Sequence, residues 1–151
     1  MSIETQIEIA APPSKVREIL LDFSKYPEWH TALVKLLEPE DSSKSLSSLV
    51  PGDKIKCNMD GMQFVANITD RKANSEALFQ WQGPPVYGLI AGLHSFHFEP
   101  ANDGSSTIFK QTEKFTGPIG FLMTPSLLGK KMIGQYNKFN SDLKGYAEAS
   151  G

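Results

Sequence analysis

Two titratable side chains on neighbouring predicted strands are of types that can move protons together. They are His94, in the stretch GLHSFHFEP, and Glu113, in the stretch TIFKQTEKF. Side chains alternate between the two faces of a strand. If Phe96 and Phe98 face inward, His94 faces inward with them, and Phe109 and Phe115 likewise bring Gln111 and Glu113 inward. An imidazole beside a carboxyl group can take a proton from a bound molecule and return it, as general base and acid.

The register between these strands depends on the turn at Ala101-Asn102-Asp103-Gly104. A two-residue turn at Asp103-Gly104 places His94 opposite Glu113, whereas a turn centred on Asn102-Asp103 places it opposite Gln111. In both registers the partner's Cβ lies about 5 Å from that of His94. The two groups can equally satisfy each other as buried polar side chains with no catalytic role.

A set of large apolar side chains has spacings that suit either a ligand pocket or an ordinary core. We predict that these side chains, with Gln111 as the polar member, contact a ligand. The apolar members are Trp81, Phe96, Phe109, Met132, Tyr136 and Phe139.

Four further residues receive structural interpretations. Tyr26 and Trp29 follow a predicted helix, in DFSKYPEWH, and are expected to pack the break in the chain at Pro27. His30 is expected to face solvent. Cys57 is expected to be a small buried hydrophobe, since no basic neighbour in sequence favours its thiolate.

The periodicity of apolar residues predicts an α+β protein with an antiparallel sheet curled around a C-terminal helix. Asp60-Gly61 between alternating runs predicts a type I′ hairpin. The predicted order is one strand, two short helices, about six or seven strands in all, and one long helix. The predicted segments are IETQIEIAA, PPSKVREILLDF, SKYPEW, TALVKLLEP, DKIKCNM, MQFVANITD, EALFQWQG, GLHSFHFEP, SSTIFKQTEKF and SLLGKKMIGQYNKFNSDLKGYAEA.

Composition limits the function classes. The chain has 151 residues, 40% of them hydrophobic, and a net charge of −2, which gives no electrostatic reason to expect binding to nucleic acid. One cysteine and no spaced Cys/His set predict neither a disulfide nor a metal site, and no cofactor is expected. No run approaches the roughly 20 apolar residues of a membrane span, and the N-terminus lacks the pattern of a signal peptide. A cytoplasmic protein without stable membrane insertion is therefore expected.

The chain resembles the helix-grip (SRPBCC, START-like or Bet v 1-like) superfamily, and within it the polyketide cyclase/dehydrase-like branch. The resemblance rests on IEIAAPPSKVREILLDFSKYPEWH, on GLHSFHFEP with GSSTIFKQTEKFTGPIG, and on the long final helix, and so covers most of the chain. Arg17 departs from the family, which often has a large aromatic residue there.

The resemblance implies a single domain over residues 1–151 that encloses a hydrophobic pocket between sheet and long helix. Its ligand would be a lipid or an aromatic, polyketide-like metabolite. Two functions stay open: a carrier without chemistry, or a cofactor-independent cyclase or dehydratase with His94 and Glu113 as acid and base. A co-chaperone-like interaction module is a third, and the protein is expected to be a monomer or a homodimer. The GPIGFLMTP segment is interpreted either as a lid over the pocket or as a connector packed on the helix.

Overall fold

The computed structural model describes residues 2–124 and 129–150. They form one antiparallel sheet, two α-helices and several short 3₁₀ turns. The strands are β1 (Ser2–Ile9), β2 (Val34–Pro39), β3 (Lys54–Met59), β4 (Met62–Asn67), β5 (Asn74–Ser75), β6 (Leu78–Gln82), β7 (Ala91–Ala101) and β8 (Ser106–Thr116), and the helices are α1 (Pro13–Leu21) and α2 (Gly129–Ala149).

The sheet order is β1-β8-β7-β6-β4-β3-β2, with the two-residue β5 attached to β6. The described residues thus contain eight strands, one more than the upper end of the prediction. Every pairing is antiparallel, and helix α2 packs against β1 and β8. The α+β fold with a curved sheet around a long C-terminal helix is therefore confirmed. The predicted start of that helix, including Leu128, lies outside the described residues.

The hairpin between β3 and β4 turns at Asp60 and Gly61 as predicted. Both residues have positive φ, 53° and 92°, which is the backbone of a type I′ turn. The turn sets the pairing, in which Cys57 lies opposite Phe64 and Ile55 opposite Ala66.

The second hairpin has one of the two predicted registers, with a different loop. Its last pair is Ala101 with Ser106, so the loop has four residues instead of two, and Asn102, Asp103 and Gly104 all have positive φ. The longer loop keeps the same pairing, because one residue is added on each side of Asp103-Gly104. His94 therefore lies opposite Glu113.

The sheet is almost divided between β4 and β6. These strands pair only at Asn67 and Gln82. Continued pairing would bring the start of β4 opposite the residues after β6, where Pro84 and Pro85 stand. Proline has no backbone N–H to contribute to a ladder, so the two strands separate toward the β3–β4 turn.

The break after α1 is held by aromatic packing, as predicted. A 3₁₀ helix at Phe23–Glu28 follows α1 directly and contains Pro27. The Tyr26 hydroxyl donates to the carbonyl of Leu20 at 2.6 Å, and Trp29 contacts Tyr26 at a ring separation of 4.5 Å. These contacts fasten the turn between helix and sheet to the interior.

The prediction that His30 faces solvent is wrong, since its side chain is buried. Nδ1 lies 2.9 Å from Asp142 on α2, and Nε2 accepts the backbone N–H of Leu33 at 3.0 Å. Because Nε2 acts as an acceptor, the ring is neutral and donates to Asp142 through Nδ1–H. His30 thus ties the chain after α1 to the final helix, a role that its position beside Trp29 in the sequence did not indicate.

This arrangement predicts that the protein loses stability in mild acid. Burial lowers the pKa of His30, against the raising effect of Asp142, while Lys138 and Lys35 lower it further. The unfolded chain takes up a proton at about pH 6.5, whereas the folded chain resists it. The stabilisation that comes from a neutral His30 is therefore complete above about pH 6.5. As the pH falls from there toward the lowered pKa of the folded state, the free energy of unfolding decreases by up to about 1.4 kcal/mol per pH unit.

Urea unfolding of the wild type and of His30→Asn, at about pH 7.5 and about pH 5.5, measures this contribution. The variant is expected to lose less stability over that interval. His97→Asn is the control, because burial also lowers the pKa of the half-buried His97 and so gives a weaker effect of the same sign. Equal pH slopes for the wild type and His30→Asn would contradict the assignment.

Candidate ligand site

The inner face of the sheet is tightly packed at one end and open at the other. Along β3, burial decreases from Ile55 and Cys57, which are buried, to Met59, which is partly exposed. Along α2 it decreases in the same direction from Phe139 to Met132. We call the open end, formed by the β3–β4 turn, the loop 83–90, the segment 117–124 and the first turns of α2, the mouth.

Contacts between these elements hold the mouth together. Gln135 on α2 donates to Asp60 in the β3–β4 turn at 2.7 Å, and Lys131 lies 3.6 Å from the same carboxylate. The N–H of Ile119 donates to the carbonyl of Leu89 at 3.3 Å. Five of the exposed large apolar residues belong to mouth elements; they are Met62, Val86, Tyr87, Leu89 and Phe121.

The segment predicted as lid or connector has one exposed and one partly packed apolar side chain. Phe121 is 58% exposed, while Met123 packs partly against the core. Pro125, at the end of the segment, lies outside the described residues.

The closed end contains several residues that we predicted to bind a ligand. Phe96, Phe109 and Phe139 are fully buried, and their ring centroids lie 5.8 to 6.4 Å apart. These three side chains fill the space beneath the C-terminal half of α2. Any hollow under the helix is therefore confined to the side of the mouth, where Met132 lies.

His94 stands at the boundary between the two ends. Its ring is 2% exposed and stacks on Trp81 with 4.7 Å between centroids and 10° between planes. Nε2 lies 2.9 Å from Oε1 of Gln111. The strand pairing places His94 opposite Glu113. The ring nevertheless contacts both Glu113 and Gln111, the partners given by the two predicted registers.

A chain of buried amides orients the His94 ring. Gln111 donates through Nε2 to Oδ1 of Asn140 at 2.9 Å, and Asn140 donates to Oγ1 of Thr5 at 2.8 Å. Thr5 in turn donates to the backbone carbonyl of Gln111 at 3.1 Å. Since the amide nitrogen of Gln111 is used, its Oε1 must accept, and His94 carries a proton on Nε2. The other ring nitrogen is left for Glu113.

Glu113 lies between His94 and the mouth. Its Oε2 is 2.5 Å from Nδ1 of His94, so the two atoms must share one proton. The same oxygen makes no hydrogen bond of good geometry within the described part of the chain. The contact is thus short but poorly directed, and Oε2 itself is buried.

Gly92 and Tyr136 complete the surroundings of Glu113. A Cβ atom at Gly92 would overlap Oε1 of Glu113, so the glycine gives the carboxylate room to lie against β7. Burial raises the pKa of the Tyr136 phenol, and the charge of Glu113 and hydrogen bonding to it raise it further. Tyr136 therefore stays protonated and faces the carboxylate as a donor.

The structure brings four of the predicted site residues together and places others elsewhere. His94, Glu113, Gln111 and Tyr136 form one polar group, with Trp81 stacked on it. Met132 lies toward the mouth, whereas Phe96, Phe109 and Phe139 belong to the packed end. Sequence reasoning missed three contributors. Asn140 follows Tyr136 by four residues and could have been found from helical spacing, but Thr5 and Gly92 had no such signal.

Other features of the described residues add no second site. Two surface depressions, of about 160 and 470 Å³, are lined by none of the predicted site residues. Burial raises the pKa of the Cys57 thiol to about 12, which agrees with a small hydrophobe. Residues 2–124 and 129–150 contain no group of three or more His, Cys, Asp or Glu side chains placed to hold a metal ion, and no helix among them has the length and hydropathy needed to cross a membrane.

Solved structures with the same fold are numerous and distant in sequence. A hypothetical protein from Helicobacter pylori matches with a TM-score of 0.74 at 12% identity, over 97% of this chain and 88% of its own. A START superfamily protein from Mycobacterium smegmatis matches with 0.64 at 17%, over 99% of both chains. Truncated norcoclaurine synthase from Thalictrum flavum matches with 0.63 at 13%, over 95% and 91%. At these identities the likeness shows the fold alone.

A comparison with curated proteins finds no match to this chain. A family model does match, over residues 1–148, and its description is polyketide cyclase / dehydrase and lipid transport. The matched region includes the eight strands of the described residues, α1, all of α2 except its last residue, and the polar group around His94. The chain is accordingly a member of the polyketide cyclase/dehydrase and lipid transport family, a hydrophobic ligand-binding domain with the helix-grip fold.

Proposed function

We propose that this domain binds one hydrophobic, partly oxygenated small molecule between the sheet and the N-terminal half of α2. The observation that carries the proposal is the placement of Glu113, His94 and Tyr136 where the packed interior meets the open mouth. The apolar body of a ligand would lie against partly exposed side chains such as Met59 and Met132. Its polar end would meet the carboxylate of Glu113. Lipids and aromatic polyketide-like metabolites both have this character.

Native mass spectrometry tests the proposal. Protein purified without denaturation is expected to carry an added small-molecule mass, or to take up one equivalent of an added apolar alcohol after organic extraction. A protein that carries no small molecule and takes up none of a panel of apolar alcohols, phenols and amines would argue against it, and would favour the interaction-module alternative.

A second candidate function, proton transfer, is favoured by one specific contact. The 2.5 Å separation between Nδ1 of His94 and Oε2 of Glu113 means that the pair holds one exchangeable proton beside the proposed ligand position. Such a pair could remove a proton next to a ligand carbonyl and return it to a departing hydroxyl group, which is the chemistry of an aldol cyclisation with dehydration.

If the domain is a catalyst, His94→Ala and Glu113→Gln are each expected to lower turnover of a cyclisable polyketone by about 100-fold or more, with little change in binding. His97→Ala and Glu99→Gln are matched controls, because β7 turns both side chains to the outer face. Turnover that survives the His94 and Glu113 substitutions would eliminate this assignment and leave the binding function.

A further inference from the structure

We propose that the mouth docks reversibly on a membrane surface that carries anionic lipids. The contact would be shallow: apolar side chains at the loop tips would enter the headgroup layer, lysines beside them would meet the lipid charges, and no segment would cross the bilayer. The proposal goes beyond the binding of a small molecule and does not depend on it, because the side chains that carry it are exposed on the surface of the chain.

Two loops at the mouth are free of charge and expose large apolar side chains. Residues 83–90 (GPPVYGLI) and 117–124 (GPIGFLMT) contain no Asp, Glu, Lys, Arg or His. Single exposed apolar residues are common on protein surfaces, whereas a cluster of them marks an interaction site. The exposed large side chains on these loops, which we call the loop patch, are Val86, Tyr87, Leu89 and Phe121.

Backbone contacts join the two loops and make the loop patch one surface. The N–H of Ile119 donates to the carbonyl of Leu89 at 3.3 Å, and a Cβ atom at Gly117 would overlap the same carbonyl. Phe121 lies in the 3₁₀ turn Gly120–Met123, directly after this contact. The apolar side chains are therefore presented together by two segments that support each other.

The tip of the loop 83–90 has a tyrosine where a small or polar residue is usual. Tyr87 and Gly88 have positive φ, 53° and 68°, and the N–H of Leu89 donates to the carbonyl of Val86 at 3.0 Å, which closes a tight turn. A bulky residue seldom adopts this backbone, and such strain is found mainly at functional sites. Because Tyr87 is 93% exposed, packing within the chain does not explain it. A ring with a terminal hydroxyl suits the boundary between lipid and water.

The charges at the mouth are mainly positive. The charged residues of the mouth elements are Asp60, Lys130 and Lys131, and both lysines are exposed. Lys35 is exposed at the same end of the sheet, next to Val34, which pairs with Met59 just before the β3–β4 turn. These four charges give a net +2, whereas the whole chain carries −2, so the remaining residues carry −4. An anionic surface would therefore attract the mouth more than the rest of the domain.

The lysines favour a lipid surface over a second copy of this chain as the occupant. A two-fold dimer through the loop patch would place the same surface of both copies face to face, and would bring Lys130 and Lys131 of one copy toward those of the other. Anionic headgroups instead attract the lysines, and the attraction adds to the burial of the apolar side chains. Apolar and electrostatic contributions then act at one place.

Co-sedimentation of the full chain with lipid vesicles tests the proposal. Vesicles of phosphatidylcholine mixed with phosphatidylglycerol are expected to bind the protein at least about tenfold more tightly than vesicles of phosphatidylcholine alone. Raising the salt from about 0.05 M to about 0.5 M is expected to weaken this binding. Equal affinity for both kinds of vesicle, or binding to neither, would overturn the proposal. A dimer in vesicle-free solution that Phe121→Ser dissociates would also overturn it, in favour of a second copy as the occupant.

Two double variants measure the apolar and the charged contributions separately. Tyr87→Ser with Phe121→Ser is expected to lower the affinity for the mixed vesicles by about tenfold or more, and Lys130→Gln with Lys131→Gln by about tenfold or more. All four side chains are exposed, so the fold is expected to be kept, which circular dichroism checks.

Matched controls carry the same chemical changes away from the mouth. Val50→Ser alters an apolar residue that is 56% exposed in the segment before β3, and Lys54→Gln with Lys56→Gln removes two exposed charges from β3 itself. Both controls are expected to bind vesicles as the wild type does. Undiminished binding by either mouth variant, or an equal loss in its control, would overturn the proposal. Small-molecule uptake without vesicles is a separate measurement, so the binding function stands or fails independently.

Discussion

Replacing Phe139 by alanine is expected to lower the free energy of unfolding by about 3–5 kcal/mol. Domains of this kind have a total stability of only about 5–15 kcal/mol, so the variant would be close to unfolding in warm solution. The reason is the position of Phe139 at the centre of the closed end. Its ring has centroid separations of 4.8 to 6.4 Å from those of Tyr26, Trp29, His30, Phe96 and Phe109.

Met132→Ala is the matched control for this prediction. Met132 belongs to the same stripe of α2, two turns nearer the mouth, but is only partly buried. Its truncation is expected to cost about 1 kcal/mol or less, because the surroundings are not closely packed. Chemical unfolding of the two variants compares them directly. A cost for Met132→Ala that equals that of Phe139→Ala would show that the helix is packed equally along its length, against the open mouth described above.

Asn140→Leu is expected to cost about 2–4 kcal/mol. The substitution removes the acceptor of the buried Gln111 amide N–H and the donor to the buried Thr5 hydroxyl oxygen, so that two buried hydrogen bonds are lost. Thr5 keeps the hydrogen bond that it donates to the Gln111 carbonyl, but the Gln111 amide is free to rotate, which loosens the hold on Nε2 of His94. Urea unfolding measures the loss of stability, and the His94 ring nitrogen signals in NMR report the tautomer.

Asn137→Leu controls for the same chemical change on the same helix. Asn137 is exposed, and its replacement is expected to alter stability by no more than about 0.5 kcal/mol. Equal effects at positions 137 and 140 would mean that the amide chain contributes nothing to the interior. A changed His94 tautomer in Asn140→Leu alone would support its role in orienting the ring.

Much of the fold follows from local patterns that act over a few residues. Asp60-Gly61 has the positive φ values that a type I′ hairpin needs, and alternation along β7 and β8 brings His94 and Glu113 to the same face. The four-residue loop at 102–105 could not be told from a two-residue loop, because both give the same pairing. The sequence also left two registers open, and only the structure shows that His94 lies opposite Glu113.

Features that depend on distant parts of the chain were not predictable. His30 is buried because Asp142, more than one hundred residues later, supplies its partner. Gly92 matters because a carboxylate on the neighbouring strand occupies the space beside it. The division of the inner face into a packed end and an open end also has no local signal, since Phe139 and Met132 occupy equivalent places in one helical stripe.

Arg17, the residue that departs from the family pattern, also makes contacts with residues that are distant in the sequence. Its guanidinium donates to the Asn74 side chain, and Asn74 donates to the carbonyls of Leu46 and Leu49. The arginine thereby ties α1 to the segment between β2 and β3.

NMR of the protein labelled at the methionine methyl groups tests most directly whether a ligand enters the hollow at the mouth. The chain has five methionines, of which Met59, Met123 and Met132 are partly buried and pack against the core, and Met62 is 59% exposed. Saturating decanol is expected to shift the signals of the three partly buried residues much more than that of Met62. Shifts confined to Met62, or no shift with decanol, decylamine or any extracted small molecule, would contradict the account.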